Sequence, residues 1–360
     1  MHWIAKKLAM VACFVIAPSA ESKPAEPARF GHLSACIDDP EASAKFFSDV
    51  FGWQRPNMQS AATSVPTKQL EERATNVTWV DAHGFYLELI KSSTADDDLC
   101  THGSYRSLTF VPPNWPISAN TLPVTEKDAG KLDFGAHLAE RITDSGGQFL
   151  VPKSITGQLD IRLSPARGLE TYQNSNTGKV SEPRVDRIAI IVRNAEETAR
   201  FFTEKLGLRR HPDAIDLDGA ANPESGGIHV VFVDANGVWL ALVQPVGAGP
   251  LNAYLDTHGD GVIAELIIEV PSVADFYDRM AAENITLVNT RGAPVDPVAK
   301  AHVLEPFRDK IAYFPADVTG GLTIELVERG DKSTSLLEHR DRKWTAMKKG
   351  PQPQGSGGKP

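Results

Sequence analysis

The stretch RFGHLSACIDDPEASAKFFSDVFGWQR, residues 29–55, recurs without a gap 155 residues later as RVDRIAIIVRNAEETARFFTEKLGLRR, residues 184–210. Seven of the 27 paired positions are identical: Arg29, Glu41, Ala44, Phe46, Phe47, Gly52 and Arg55 with their partners. Chance agreement at roughly 6% per position would give about two. Most other pairs are conservative, such as Leu33 with Ile188 and Asp49 with Glu204. The chain is therefore built twice from one plan, and an internal repeat of this kind decides the fold before any local reading does.

Each copy carries the same local signals. His32–Ile37 and Arg187–Val192 are short apolar runs of strand character, followed by an acidic turn. A helix comes next. In the first copy Ala42, Phe46, Phe47 and Val50 form an apolar stripe, Glu41 suits the positive end of the helix dipole, and Gly52 stops the helix.

Outward from the repeat, residues 1–20 have a basic start (Lys6, Lys7), an apolar segment and small residues at Ser19 and Ala20. This pattern is that of a cleaved secretory signal, too short to span a bilayer, and it places the protein in the periplasm or outside the cell. Cys13 after Met-Val-Ala also loosely matches a lipoprotein attachment site. Export would leave Cys36 and Cys100 in an oxidising compartment, where pairing is allowed but is not fixed by the sequence. Residues 21–28 read as a linker, and residues 331–360 as a largely disordered extension ending in KKGPQPQGSGGKP. The remainder suffices for two domains, 29–178 and 184–330. A net charge of −9 argues against nucleic acid as a partner and leaves small molecules open.

The repeat continues past its opening stretch. Val77–Val80 and Phe85–Ile90 flank the turn Asp81–Gly84, as His229–Val233 and Val238–Val243 flank Asp234–Gly237. Thr101-His-Gly103 precedes Tyr105–Val111, and Thr257-His-Gly259 precedes Val262–Val270. Helices are expected over 134–144 and 273–283, and final strands over 168–172 and 321–327. Each half thus holds two strand–helix–strands units.

This arrangement resembles the vicinal oxygen chelate superfamily, which includes glyoxalase I, methylmalonyl-CoA epimerase, extradiol dioxygenases and antibiotic-binding resistance proteins. The resemblance runs over about residues 29–329 and is carried by the opening strand with E-x-x-x-x-F-F-x-x-x-x-G and by the ending AYFPADVTGGLTIELVE, residues 312–328. It implies an α+β fold: tandem domains, each of two βαβββ modules forming an open, curled mixed β-sheet. It also implies one inward-facing metal ligand on the first strand and one on the last strand of each module. Carried over, those positions are His32, Glu88, a residue near Ser107, and Glu170 or Tyr172 in the first half, and Arg187, Ala241, Glu265 and Glu325 in the second. Neither set matches the family's His, Gln or Glu, His, Glu pattern.

Three functional readings follow from that resemblance. In the first, His32, Glu88 and Glu170 bind a divalent ion (Zn, Mn, Ni, Co or Fe), and Glu170 doubles as the catalytic proton shuttle of an isomerase, epimerase or lyase acting on a small carbonyl compound. In the second, Glu265 and Glu325 work without metal as an acid–base pair while Arg187, which cannot ligate a metal, grips a substrate anion. Tyr172 and Arg308 are further candidate substrate contacts. In the third, the protein only sequesters an apolar or aromatic ligand, using such residues as Tyr86, Tyr105, Trp115 and Trp239. An extradiol dioxygenase fits badly, because both halves lack two histidines beside a carboxylate. A homodimer is an allowed assembly that the sequence does not decide.

Overall fold

Both copies of the repeat form the same strand and helix, and the residues identical between them explain why. The computed structural model describes residues 27–56, 77–82, 85–92, 103–112, 149–151, 153–156, 158–164, 183–219, 226–235, 237–304 and 308–330. In the first copy these elements are β1 (Arg29–Ile37) and α1 (Pro40–Phe51). In the second they are β7 (Arg184–Ile191) and α3 (Ala195–Arg200), which runs on as a π-helical turn, Phe201–Lys205. Ala44, Phe47, Ala199 and Phe202 are buried, and Gly52 and Gly207 supply the positive φ angles of 71° and 67° that end the helices. The Arg and Glu identities also have a shared purpose. Arg55 pairs with Glu41, and Arg210 pairs with Glu196, tying the start of each helix to the chain that follows it.

The α1 terminus shows how local sequence sets its geometry. The Asp39 side chain accepts hydrogen bonds from the N–H groups of Glu41 and Ala42 at 3.1 and 3.0 Å, and Pro40 occupies the first turn. The buried face is Ser43, Ala44, Phe47, Val50 and Phe51, with Phe46 partly buried. Ala42 is exposed, so the stripe expected from it is rotated by about one residue.

The first domain continues with β2 (Val77–Asp81), β3 (Tyr86–Lys91), β4 (Ser104–Val111), β5 (Phe149–Val151), the short α2 (Lys153–Thr156) and β6 (Ile161–Leu163), in the sheet order β2-β3-β1-β4-β6-β5. The second domain adds β8 (Arg209–Arg210), β9 (Ile215–Leu217), β10 (Gly227–Asp234), β11 (Trp239–Val246), α4 (Pro250–His258) and β12 (Val262–Glu269). It ends with α5 (Val273–Ala282), β13 (His302–Leu304), β14 (Asp309–Tyr313), α6 (Ala316–Thr319) and β15 (Ile324–Glu328). Its sheet order is β13-β14-β15-β12-β7-β11-β10-β8, with β9 on β10. Both sheets are mixed, curled and unclosed, and each contains both modules of its own domain, so no module is exchanged between halves. In all four modules the first strand pairs in parallel with the last: β1 with β3, β4 with β6, β7 with β11, and β12 with β15.

One pairing corrects the expected register of the first domain. The strand parallel to β4 is Ile161–Leu163, with Leu108 opposite Ile161, just as Leu266 lies opposite Ile324 in β12 and β15. The turns before these strands agree in detail. Thr156 Oγ1 donates to Leu159 O at 2.6 Å, and Thr319 Oγ1 donates to Leu322 O at 2.7 Å. Arg162, not Glu170 or Tyr172, is therefore the counterpart of Glu325. Glu170, Tyr172, the strand expected at 168–172 and the helix expected over 134–144 lie outside the described residues, as do the leader and the C-terminal extension.

The domains share one hydrophobic core. Phe46 and Phe51 of α1 reach Phe314 at 5.1 and 5.7 Å between ring centroids, Phe51 lies 6.2 Å from Phe276, and Phe110 lies 5.9 Å from Phe202. Arg279 donates to Val50 O at 2.7 Å, and Tyr105 Oη donates to Thr323 O at 2.9 Å. The backbones meet closely where Gly103, at φ 68°, faces Gly321: a Cβ there would stand 2.7 Å from the Gly321 Cα. No helix among the described residues is long and apolar enough to cross a membrane.

Candidate functional site

Strand alternation sorts each sheet into a core face and a hollow face, since successive side chains point oppositely and cross-strand partners share a side. In the first domain Leu33, Ala35, Leu87, Leu89, Leu108, Phe110, Ile161 and Leu163 enter the core. The opposite face carries two rows. Glu88, Ser34 and Ser107 are cross-strand partners in one, and His32, Thr109 and Arg162 in the other. In the second domain Ile188, Ile190, Leu240, Leu242, Leu266 and Leu326 enter the core. Its hollow face carries Ala241, Ala189 and Glu265 in one row and Trp239, Arg187, Ile267 and Glu325 in the next, with Tyr313 beside Glu325.

The first hollow is polar and tightly enclosed. His32 Nε2 lies 3.5 Å from Glu88 Oε2, and Ser34 Oγ donates to the same oxygen at 2.5 Å. Burial alone would raise the Glu88 carboxyl, but His32, Ser34 and Arg162 outweigh it and hold the group at about 2. Trp79 meets the His32 ring edge-on at 4.9 Å.

The second hollow has a different chemistry. Apolar side chains line it: Ala189, Ile267, Ile311 and Val327 form one cluster, and Val230, Phe232 and Ala241 form another with Trp239 against it. Into this lining project Glu265, partly exposed, and Glu325, only 5% exposed. Tyr313 Oη donates to Glu325 Oε2 at 2.7 Å. Burial and the nearby Glu325 charge push the Glu265 carboxyl up to about 8, against the opposing charge of Arg187. Burial likewise raises Glu325, although Arg187 and the Tyr313 hydroxyl pull it back. Tyr105, Tyr254 and Tyr313 are all raised by burial and then by the charge of Glu265. Arg187 Nη1 is held by Asp186 at 2.5 Å, and Asp186 also pairs with the buried Arg329. Arg187 is thus fixed from behind.

A raised carboxyl pKa has a definite sign for stability. Glu265 binds a proton in the folded state up to about pH 8 and in the unfolded state only up to about 4.3, so folding takes up a proton between those values. Its contribution is fully present below the lower value and is lost as pH rises through the higher one. Melting temperature is expected to fall between about pH 5 and pH 8.5, and calorimetry of Glu265→Gln is expected to show a shallower fall.

The sequence-derived residues divide accordingly. Glu265, Glu325 and Arg187 share one hollow, and His32 and Glu88 share the other. Arg308 is exposed at the turn before β14 with φ 61°, and Glu170 and Tyr172 lie outside the described residues. Tyr313 and Arg162 were missed. A metal was tested against the donors present. The first hollow offers one imidazole and two carboxylates, Glu88 already engaged by Ser34 and His32 and Asp160 paired with the Arg162 guanidinium that stands in the fourth position. The second offers two carboxylates that share their space with Arg187 and Tyr313. A guanidinium has no lone pair to give, and a divalent ion of the zinc type needs at least three protein ligands. No group of three His, Cys, Asp or Glu side chains is placed to hold a metal ion among the described residues. Among the described residues, neither donor set fits the metal that other members of the fold commonly use.

These folds and hollows place the protein in a known class. The family model described as the Glyoxalase/Bleomycin resistance protein/Dioxygenase superfamily matches residues 29–115 and 184–311, more than half of the chain, and the protein belongs to that superfamily. A variant of 4-hydroxymandelate synthase from Streptomyces coelicolor is similar over 89% of this chain and 100% of its own, at 15% identity and a TM-score of 0.49. Methylmalonyl-CoA epimerase from Mycobacterium tuberculosis is similar over 42% of this chain and 91% of its own, at 18% identity and a TM-score of 0.32. The Streptomyces coelicolor epimerase, in complex with 2-nitronate-propionyl-CoA, gives 14% identity over 41% of this chain and 95% of its own, with a TM-score of 0.31. No curated protein is matched by the sequence.

Proposed function

We propose that the second domain is a metal-independent acid–base catalyst, an isomerase or epimerase by reaction class, acting on a small carbonyl compound that carries a carboxylate. One observation carries this reading: Glu265 and Glu325 face one apolar-lined hollow beside Arg187, with burial raising both carboxyls and the Glu325 charge raising Glu265 further. Two carboxyls in this state hold a proton between them near neutral pH, so one is a base while the other is an acid. Arg187 takes the substrate carboxylate. The ionised glutamate removes the proton next to the carbonyl, the resulting enolate is stabilised by the guanidinium and by the Tyr313 hydroxyl, and the protonated glutamate returns a proton at a second position. No proton is gained or lost overall.

The test is solvent exchange. Chelator-dialysed protein in D2O with 2-oxobutyrate is expected to accelerate loss of the C3 proton signal in the NMR spectrum. Saturable binding without exchange would instead support the sequestration reading, which the Trp239 and Phe232 rings, 6.4 Å apart and perpendicular, also suit.

We also propose that the chain is exported. The leader-like residues 1–20 support this, as does the engagement of Cys36 in a disulfide whose partner lies outside the described residues. Reduction is expected to lower stability by about 2–4 kcal/mol in urea titrations. Unchanged midpoints with and without reductant would contradict a structural disulfide.

A further inference from the structure

The first hollow carries polar groups that the fold does not satisfy. Ser107 and Thr109 are 0% exposed and neither hydroxyl has a hydrogen-bond partner, while His32, 2% exposed, meets only the Glu88 carboxylate, as a loose ion pair at 3.5 Å, and its Nδ1 has no hydrogen-bond partner. Arg162 Nε and Asp160 Oδ1 form a loose ion pair at 3.7 Å, beyond hydrogen-bond reach, and neither atom has a hydrogen bond. Native interiors rarely leave one such group unpaired, because its lost hydration is not returned. Here five residues contribute them to one region of sheet, and His32, Thr109 and Arg162 are direct cross-strand neighbours.

Their chemistry selects the ligand. The hydroxyls donate and accept, Arg162 Nε–H only donates, Asp160 Oδ1 only accepts, and the imidazole does one at each nitrogen. Arg162 is offset by Asp160 and Glu88, so a free anion has no net positive hollow to enter. The donors fall short of a metal shell, as shown above. Trp79 and Tyr86, 6.4 Å apart and perpendicular, add aromatic surface on the strands beside Glu88 and His32. We propose that the hollow of the first domain binds a neutral polyhydroxylated small molecule, a polyol or monosaccharide, through His32, Ser107, Thr109 and Arg162. Each hydroxyl of such a molecule gives one donor and one acceptor, matching the mixed set.

The site is independent of the second hollow, so its test does not pass through Glu265 or Arg187. Full-length, chelator-dialysed protein is titrated calorimetrically with glycerol, D-ribose and D-glucose, and in parallel with sodium acetate and ZnCl2. Saturable binding of at least one of the three polyols is expected, weakened at least tenfold in Thr109→Val and in Arg162→Gln. Thr109→Val also separates a ligand contact from a packing role: it removes an orphaned hydroxyl at constant shape, so the ligand-free variant is expected to melt at or above the wild-type temperature. Three results overturn the proposal. They are no saturable polyol binding, a drop in the ligand-free melting temperature of Thr109→Val, and stoichiometric zinc binding abolished by His32→Ala.

Discussion

Glu265→Gln is expected to lower the rate of solvent proton exchange into 2-oxobutyrate by about 10²–10⁴-fold, the range that a positioned acid or base supplies. The substitution keeps size and hydrogen-bonding capacity while removing a carboxyl of the hollow that can take up and release a proton. The amide also carries no ionisable group into a site where burial disfavours a carboxylate, so the scaffold should be undamaged. Loss of exchange with retained or improved stability is therefore the signature, and it separates a catalytic glutamate from a structural one. Arg187→Gln should act differently: losing the carboxylate grip raises KM, and losing the enolate contact lowers kcat with it. If Glu265→Gln exchanged as fast as wild type, the acid–base reading would fail at its main residue.

Phe51→Ala is expected to destabilise the protein by about 3–5 kcal/mol, the cost of deleting a buried phenylalanine that the surroundings cannot replace. Phe51 is 5% exposed and packs on Trp53 at 5.2 Å within its own domain, and on Phe314 and Phe276 at 5.7 and 6.2 Å in the other. The cavity would open at the seam between the halves. Urea unfolding should then show a lower midpoint, with a transition that broadens or splits as the domains lose their shared packing. A loss below about 1 kcal/mol would mean the aromatic seam contributes little to holding the halves together.

The fold was legible because the repeat falls on residues under strong physical demand. Gly52 and Gly207 must adopt positive φ, Ala44 and Phe47 fill the core, and Arg55 with Glu41 closes the helix start, so these positions stay recognisable when the rest drifts. The end of the first domain was harder. Gly168-Leu-Glu matches Gly321-Leu through its glycine and leucine and places a carboxylate, Glu170, near the expected ligand position. The stronger signal was PKSITGQLDIRL, residues 152–163, against PADVTGGLTIEL, residues 315–326: it repeats the Pro, Thr, Gly, Leu, Ile and Leu that build the turn and strand. Matching the threonine turn instead of the acid would have found Arg162. Tyr313 was invisible for another reason, since its role depends on β14 lying beside β15, a register set by tertiary pairing. The family resemblance did bring Glu265, Glu325 and Arg187 together, because its ligand positions, carried over residue by residue, fall on one face of three neighbouring strands. Their shared protonation depends on burial, which no spacing reveals.

The most direct measurement is the NMR exchange rate of the 2-oxobutyrate C3 protons in D2O, comparing chelator-dialysed wild type with Glu265→Gln and Glu325→Gln. Exchange that survives chelation and collapses in both variants is the predicted result. Exchange that vanishes on chelation and returns with added divalent metal, or that persists in both variants, would contradict the account.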